Sequence, residues 1–496
     1  MNDLAEVALN AARSGGADYA DIRISRHRDQ RISAREERVQ SVSDTESYGF
    51  GVRVLADGTW GFAASHEVTP DTIAAVADRA LAVARANRAA QRRPVELVHV
   101  DACRDTWRTS AETDPFEVPL GEKTDLLLAV NAAALAVDGA QFCTSSMHFQ
   151  KEEKYFASTD GSAIDQTVIR TAPTFTVTAT DPATGKFENR TADIHPRGLG
   201  YEFVEQCDLV ALAPRMAEQA VEKLAAPSVE PGPCDLILHP TNLWLTMHES
   251  LGHPTELDRV VGLEANFAGT SFLTLDKLGS FRYGSPLVNF KADRTLPGGL
   301  ATCGYDDDGC PTTEWHLVKD GVLVDYQTIR EQVLWPEYRE ARAAAGLPEV
   351  GHSYACSYAD SWGSFPFQRQ ANIHLEPGAE PLSLDDLIAG TDRGIYIVGN
   401  ASFSIDQQRR NFQFSGQVFY KIEGGKLAGM LNDVAYQAQT PAFWNACDAI
   451  CDQRFWELGG TLYCGKGQPG QAAKMSHGAA PARFRQIHVL NTRREV

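Results

Sequence analysis

The stretch "APSVEPGPCDLILHPTNLWLTMHESLGHPTELDR", residues 226–259, sets the division of the chain and contains its most informative motif. It opens with three prolines and one glycine in eight residues, which is typical of a linker. A short strand of the buried type, "CDLILHP", and a helix, "TNLWLTMHESLGH", follow directly. We therefore predict an N-terminal domain over residues 1–227 and a C-terminal domain over residues 228–496.

Both sides of this boundary have an α+β pattern. The N-terminal side combines alternating segments such as "DIRISR" and "GVRVL", typical of half-buried strands, with several amphipathic helices. Helices are predicted over residues 3–14, from Thr69 to Pro94, over 121–137 and over 208–226, and a strand meander over 140–205. Beyond the 226–259 stretch, the chain is rich in glycine, aromatic residues and short strand-like runs. The predicted fold is an N-terminal antiparallel sheet with helices, followed by a β-rich domain.

Charge and composition narrow the range of partners. The net charge of -19 and pI near 5.1 repel phosphate backbones and anionic membrane surfaces, so we expect neither nucleic acid nor membrane as a partner. We find no secretory signal and no run of 18 apolar residues that would indicate a transmembrane helix. The ten cysteines are scattered, which fits reduced thiols, and we predict a cytoplasmic location.

The segment "HESLGH" resembles the zinc-protease signature H-E-x-x-H, but its histidines are one residue further apart. On a regular helix His248 and His253 would lie about 140° apart and could not share a metal ion. A π-type bulge or an unwound last turn would bring them together. Gly252 weakens the helix, and Pro254 disfavours the α conformation for His253. We therefore predict that the helix is distorted or ends between Glu249 and Pro254.

A catalytic zinc ion needs three protein ligands and one open position. Glu249, beside the first histidine, could act as general base towards a water whose pKa the metal lowers to about 7. The motif does not identify the third ligand. The candidates are Glu256, Asp258, Cys303, Cys310, His352, Cys356 and Cys464. Cys464 lies in the glycine-rich loop "TLYCGKGQPGQ", where a thiolate would suit zinc, but a small apolar residue at a strand end explains it equally well. The alternative to a metal site is a helix whose histidines make ordinary hydrogen bonds.

Three segments together resemble the TldD/PmbA (TldD/TldE) family of metallopeptidases, and its TldD-type catalytic subunit in particular. They are "YADIRIS…ERVQSVSDTESYGFGVRVLADGTWGFAAS", "HESLGHPTELDR" and "YCGKGQPGQ". The resemblance implies one zinc ion per chain, with His248, His253 and Cys464 as ligands and Glu249 as the acid or base. It makes the predicted helix a metal-binding helix of the C-terminal domain.

The resemblance also implies partners. Family members form homodimers or pair with a metal-free TldE-like subunit, and their central cavity admits unfolded peptides. Pro254 stands where other members have glycine, and the segments "ACSYADSWGSFPFQRQANIHLEPG" and "NASFSIDQQRRNFQFSG" match the family only loosely. These segments belong to the expected substrate cleft, so the choice of substrate stays open.

The leading hypothesis is a cytoplasmic zinc peptidase that cleaves unfolded or extended peptides, which the β-rich domain could hold by strand addition. The first alternative is a non-catalytic peptide-binding or maturation partner whose zinc is structural or absent. The second is a zinc amidohydrolase for small molecules, which would need a narrow pocket.

Other polar residues allow two interpretations each. Cys447 and Cys451, four apart in "NACDAIC" on one predicted helix face, could bind a metal or be redox-active, but a core position is the more common role. The acidic run Asp306–Asp308 could hold a hard cation, although a solvated turn is favoured. Arg409 and Arg410 could anchor a substrate carboxylate or stabilise an oxyanion, or be ordinary surface residues.

Overall fold

The computed structural model describes residues 1–493 and has the predicted α+β architecture. Five helices and seven strands form the chain up to Ala225. In order they are α1 (Asn2–Ser14), β1 (Tyr19–Arg35), β2 (Arg38–Ala56), β3 (Thr59–Ser65), α2 (Pro70–Asn87), β4 (Arg104–Arg108), α3 (Leu120–Leu135), β5 (Ala140–Ser158), β6 (Ala163–Asp181), β7 (Lys186–Thr191), α4 (Glu202–Gln206) and α5 (Leu209–Ala225).

The seven N-terminal strands form one sheet in the order β3-β2-β1-β5-β6-β4, with β7 beside β6. Its neighbours are antiparallel except for the pair β4 and β6. Helices α1 and α2 cover one part of the sheet, and α3 and α5 cover another, each burying its own apolar cluster. Thr69 caps α2 through its hydroxyl as predicted, but α2 ends at Asn87 and a 3-10 turn at Arg88–Ala90 follows, so it stops short of Pro94.

The remainder of the chain is β-rich, as predicted, and continues the numbering of elements. In order these are β8 (Gly232–Leu238), α6 (Pro240–Met247), a π-helical turn (His248–Gly252), a 3-10 turn (His253–Thr255), α7 (Leu257–Val260), β9 (Phe290–Asp293), β10 (Glu314–Lys319), β11 (Val322–Leu323), α8 (Pro336–Ala344), β12 (Ser357–Tyr358), β13 (Phe367–Gln368), β14 (Asn372–Leu375), α9 (Leu384–Ala389), β15 (Arg393–Val398), β16 (Phe403–Ile405), β17 (Asn411–Ser415), β18 (Val418–Glu423), β19 (Lys426–Leu431), β20 (Val434–Gln439), α10 (Thr440–Asn445), β21 (Cys447–Ile450), β22 (Glu457–Lys466), β23 (Gln471–Ala479) and β24 (Ala482–Asn491). Short 3-10 turns also occur at Leu275–Lys277, Gln332–Leu334 and Gln453–Phe455.

Two large sheets organise this part of the chain. One has nine strands in the order β16-β17-β20-β24-β8-β15-β18-β19, with β21 beside β24. The other has six strands in the order β11-β10-β9-β14-β23-β22, which leaves β22 at an edge. Helix α6 packs against β15 of the first sheet and against β22 and β23 of the second, and all its residues are buried. The sheets therefore fix the end of α6, where the motif begins, close to the edge strand β22.

Several predicted boundaries need correction. The strand meander ends at Thr191, because loops and α4 fill most of the interval up to residue 205. Cys447 begins the strand β21 and Cys451 follows it, so the prediction that they share a helix face is wrong; both are buried among apolar side chains. The domain boundary at residue 227 stays a prediction. Over residues 1–493, no helix has the length and apolar character needed to cross a membrane.

Candidate metal centre

A change of helix type brings the two histidines of the motif together. Helix α6 gives way at His248 to the π-helical turn, in which the N–H of His253 donates to the carbonyl of His248, five residues earlier. Residues five apart then face the same side, and the two ring centroids are 4.7 Å apart. The predicted distortion is confirmed. The expectation that Pro254 would drive His253 out of the α region is wrong, since His253 keeps φ -65 and ψ -43 and the wider turn supplies the rotation instead.

Side chains from neighbouring segments satisfy carbonyls of the distorted turn. The amide Nε2 of Gln327 donates to the carbonyl of Gly252 over 2.7 Å. The hydroxyl of Thr255 donates to the carbonyl of Leu251 over 2.8 Å. A regular helix would bond such carbonyls through its own N–H groups, so these side chains lower the cost of leaving the α geometry.

The third donor arrives on the edge strand. Alternate residues of β22 face opposite sides, so Cys464 and Lys466 are buried whereas Tyr463 is exposed. Sγ of Cys464 lies 3.5 Å from Nε2 of His253. The ligand atoms of His248, His253 and Cys464 all lie within 4.8 Å of one another, and no other group of this kind occurs over residues 1–493.

This geometry fits a zinc ion. Tetrahedral zinc with bonds of about 2.0–2.1 Å to nitrogen and about 2.3 Å to sulfur holds those two atoms about 3.5 Å apart, which is the distance between His253 and Cys464. Burial lowers the pKa of both His248 and His253 well below the usual histidine value, so their rings are neutral and keep a free lone pair for a metal. Imidazole nitrogen and thiolate sulfur are both zinc donors, and three protein ligands leave the fourth position open that a catalytic zinc ion needs.

The second ring nitrogen of each histidine has its own partner. Nδ1 of His253 lies 2.7 Å from Oε2 of Glu256, and Nδ1 of His248 lies 2.8 Å from Nε2 of His477. Such contacts orient metal-binding imidazoles and fix which nitrogen carries the proton. Each histidine can thus present Nε2 to the ion.

A buried ion-pair network surrounds Glu256, the partner of His253. Nζ of Lys466 lies 2.9 Å from Glu256 and 2.8 Å from Asp258, and all three side chains are buried. Burial raises the pKa of Glu256, but Lys466 and His253 outweigh it and hold that pKa well below the usual carboxyl value. Glu256 and Asp258, both candidates for the third ligand, therefore serve to hold other groups and do not join the three-donor cluster.

The candidate base Glu249 faces an arginine from a distant loop. Nη1 of Arg409, between β16 and β17, donates to Oε2 of Glu249 over 2.7 Å. Burial raises the pKa of Glu249, and the charge of Arg409 opposes that rise. Arg409 thus belongs to the site, whereas its neighbour Arg410 is exposed.

The acidic run Asp306–Asp308 is not the solvated turn that the sequence favoured. All three side chains are buried. Asp307 lies 2.6 Å from Lys154, and Asp308 lies 2.8 Å from Arg53. These basic residues come from the N-terminal sheet, so the run is ion-paired where the two halves of the chain meet.

The other candidate ligands lie outside the three-donor cluster. Cys303 accepts a hydrogen bond from Arg294 over 3.0 Å, while Cys310 and Cys356 are buried and His352 is exposed. Sequence reasoning missed Lys466 and His477. The position of Lys466, two residues after Cys464 on a strand, was a usable signal, whereas nothing in the sequence near His477 indicates its role.

A groove of ≈ 550 Å³ runs beside this centre. Its walls include Trp244 of α6 and the residues 460–463 of β22 that lead to Cys464. The ring of Trp244 is 6.4 Å from that of His248. The opposite wall includes His148 of the N-terminal sheet, so both halves of the chain line the groove.

Comparisons with known proteins agree along the whole chain. The model for the PmbA/TldA metallopeptidase C-terminal domain matches residues 231–490, that for domain 1 matches 20–84 and that for the central domain matches 113–226. A metalloprotease of Methanothermobacter thermautotrophicus is 27% identical over 96% of both chains. A zinc metalloprotease TldD homolog of Saccharolobus solfataricus is 23% identical over 97% of this chain and 98% of its own.

Solved structures share the fold. A putative modulator of DNA gyrase from Thermotoga maritima superposes with a TM-score of 0.75 at 16% identity, covering 99% of this chain and 100% of its own. TldE from Thermococcus kodakarensis superposes with a TM-score of 0.71 at 15% identity, covering 98% and 99%. Because the family models match residues 20–84, 113–226 and 231–490, the chain belongs to the PmbA/TldD metallopeptidase family.

Proposed function

We propose that this protein is a zinc-dependent peptidase that hydrolyses peptide bonds in unfolded or extended peptides. The observation that carries the proposal is the buried cluster of His248, His253 and Cys464, whose nitrogen-to-sulfur distance of 3.5 Å suits tetrahedral zinc. The names of the relatives, several metalloproteases and one zinc metalloprotease, support it.

The residues divide the chemistry between them. His248, His253 and Cys464 would hold one zinc ion per chain. When bound, the ion would polarise the scissile carbonyl and lower the pKa of a water molecule to about 7. Glu249 would accept the proton of the attacking water and deliver it to the leaving amine nitrogen. Arg409 would hold the Glu249 carboxylate in place through the 2.7 Å hydrogen bond.

The groove and the edge strand support an extended substrate. Within the described part of the chain, β22 has a hydrogen-bonded neighbour on one side only, and it ends near Cys464. A peptide laid along this edge could add a strand, with its backbone bonded to β22 and its side chains in the groove. Recognition of this kind depends mainly on the backbone, which suits broad specificity for unfolded chains.

The likeness to TldE supports a paired assembly, either a homodimer or a heterodimer with a TldE-like subunit. The alternative function, a non-catalytic peptide-binding or maturation partner with structural or no zinc, makes the opposite prediction for hydrolysis. The cytoplasmic location stays a prediction.

The test is hydrolysis of an unfolded peptide by zinc-loaded protein, measured together with metal content. We expect Glu249→Gln to keep one zinc per chain and to lose activity by about 10²- to 10⁴-fold, as for removal of a general base. His248→Ala and Cys464→Ala should lose zinc and activity together. Glu112→Gln, at an exposed glutamate, is the matched control and should behave as the wild type.

Full activity in zinc-loaded Glu249→Gln would overturn the mechanism. A wild-type protein that binds zinc and unfolded peptides but hydrolyses none of them, with and without a TldE-like subunit, would establish the non-catalytic alternative.

A further inference from the structure

A second cavity lies beside the metal centre, where the N-terminal sheet meets the C-terminal part of the chain. It has a volume of ≈ 30 Å³, enough for about two or three water-sized groups. Strands β5 and β6 line one part of it, and the segment at residues 294–307, β12, the segment at residues 369–370 and β23 line the rest. This cavity shares no lining residue with the groove beside Trp244.

Three cations in its wall have no carboxylate partner. Arg294, Arg369 and Lys474 form no ion pair within 4.0 Å with any residue of the described range 1–493, although both arginines are at least 96% buried. Lys154 and Arg170 in the same wall are each paired with Glu152. A buried cation without a counter-charge is unfavourable, so this excess of cations favours a negative charge from outside the chain.

The acidic residues of the wall make contacts with other groups. Glu152 is paired with Lys154, and Asp307 lies 2.6 Å from the same ammonium group. Asp306 accepts hydrogen bonds from three backbone N–H groups, including that of Ser357 over 3.1 Å. None of these carboxylates forms an ion pair within 4.0 Å with Arg294, Arg369 or Lys474.

Polar groups in the wall are also left without hydrogen bonds. Nε of Arg294, Nε of Arg369 and both polar atoms of the Gln370 amide have no partner, and Gln370 is 1% exposed. Nζ of Lys474 donates to the hydroxyl of Tyr358 over 3.1 Å. Oε1 of Glu152 in the same wall also lacks a hydrogen bond. Buried polar groups are normally satisfied, and the three unpartnered N–H donors are those that an acceptor in the cavity would satisfy.

We propose that this cavity binds a carboxylate group. A carboxylate supplies negative charge and two acceptor oxygens for the unpartnered donors, and its three heavy atoms fit the volume of ≈ 30 Å³. The site adjoins the metal centre, because Ala473 in its wall pairs with Cys464 and the amide of Gln370 lies against Gly252 of the π-helical turn. The carboxylate can come from the C-terminus of a peptide or from a small free carboxylate.

Thermal unfolding of the zinc-loaded full chain tests the site, with acetate as the probe. Ionic strength is held constant with sodium chloride, so that a rise in Tm reports a preference for the two-oxygen carboxylate over a monatomic anion. Acetate at ten times its dissociation constant should raise the Tm of the wild type by about 1 to 3 °C. Lys474→Met and Arg294→Gln should abolish this rise, whereas the exposed-site controls Lys426→Met and Arg393→Gln should keep it.

A pair of peptides distinguishes the two sources, using Glu249→Gln protein so that the peptides stay intact. A peptide with a free C-terminal carboxylate that stabilises the protein more than its C-terminal amide assigns the site to the end of a peptide chain. Equal stabilisation by both peptides, together with the acetate response, assigns it to a small free carboxylate.

An acetate response in the wild type that is absent, or that is equally large in Lys474→Met, overturns the proposal. If Arg294→Gln fails to fold, Lys474→Met still decides, since it replaces a charge with an apolar side chain of similar length. Hydrolysis is not measured in these experiments, so their outcome is independent of the proposed peptidase function.

Discussion

Nη1 of Arg409 and Oε2 of Glu249 are 2.7 Å apart, although 160 residues separate them in sequence. The arginine approaches from the loop between β16 and β17, and its backbone has φ 65, in the left-handed region that non-glycine residues rarely adopt. Unfavourable backbone geometry of this kind is characteristic of functional sites. The contact holds the buried carboxylate of Glu249, which lies within the π-helical turn beside His248.

We predict that Arg409→Met lowers kcat for peptide hydrolysis by about 10- to 100-fold while zinc content and KM change little. The reason is that Glu249 loses the contact that fixes its position, but the three metal ligands are untouched. Steady-state kinetics and metal analysis on the same preparation measure both effects. Arg409→Lys, which keeps the charge, should recover part of the activity.

Arg410→Met is the matched control for this change, because Arg410 is the exposed neighbour on the same loop. It should leave kcat within about twofold of the wild type, in line with ordinary surface substitutions. A loss of zinc in Arg409→Met, or an equal loss of activity in Arg410→Met, would contradict a positioning role for Arg409.

A second prediction concerns the glycine of the π-helical turn. A β-carbon on Gly252 would lie 2.1 Å from Oε1 of Gln370, while the backbone of Gly252, at φ -53, is ordinary helical. The need for glycine is therefore steric. We expect Gly252→Ala to lower the free energy of unfolding by about 1 to 3 kcal/mol, measured by urea denaturation, and to weaken zinc binding.

The double variant Gly252→Ala/Gln370→Ala should be more stable than the sum of its single variants predicts, because shortening residue 370 removes the clash. Gly121→Ala is the control: a β-carbon there meets no atom within 4 Å, and alanine is the better helix former. It should be neutral or slightly stabilising. Additive effects at residues 252 and 370 would show that the two side chains do not compete for space.

A third prediction concerns the carboxylate behind His253. Glu256→Gln keeps an acceptor for Nδ1 of His253 but removes a negative charge, and we expect the zinc dissociation constant to rise about 10- to 100-fold. Competition with a chelator of known affinity measures this. Stability should also fall, because Lys466 loses one of its two carboxylate partners.

Adding Arg259→Met to Glu256→Gln removes the buried guanidinium whose carboxylate partner within residues 1–493 is Glu256, and it should restore part of the stability without restoring zinc affinity. Glu112→Gln, at an exposed position, should change neither quantity. Zinc affinity that recovers together with stability would mean that Glu256 acts on the metal only through the fold.

Local patterns in the sequence predicted much of this molecule. The motif spacing and Gly252 indicated a distorted helix, and the structure has a π-helical turn at that place. The inference worked because it concerns five neighbouring residues on one helix. Strand periodicity likewise predicted a β-rich C-terminal half, since alternation is a local property.

What the sequence could not predict depends on long-range contacts. The partner of Glu249 comes from residue 409, and the partner of His248 comes from residue 477. The local sequence of Asp306–Asp308 is typical of a solvated turn, yet the run is buried and is paired with basic residues of the N-terminal sheet. Such pairings are set by strand order and sheet packing, which the local pattern around a residue does not encode.

The last prediction uses the pH dependence of stability. Lys474 lies in the wall of the carboxylate cavity, and its pKa is lowered from 10.5 to about 8, chiefly by burial and further by the charge of Arg170. Between pH 8 and 10.5 the folded protein has lost this proton while the unfolded chain keeps it, so unfolding takes up a proton and stability rises with pH. Relative to Lys474→Met, the wild type should gain about 1 to 3 kcal/mol across this range.

Urea denaturation of both proteins at several pH values gives the difference between their free energies of unfolding, in which the shared titration of cysteines and tyrosines cancels. Saturating acetate should reduce the change of this difference with pH, because a bound carboxylate holds Lys474 in its charged form. Lys426→Met, at an exposed lysine, should follow the wild type throughout. If the free energy of unfolding of the wild type and of Lys474→Met changed with pH in parallel, burial would impose no penalty on this ammonium group. Lys474 would then not count among the cations of the cavity wall that need a negative partner.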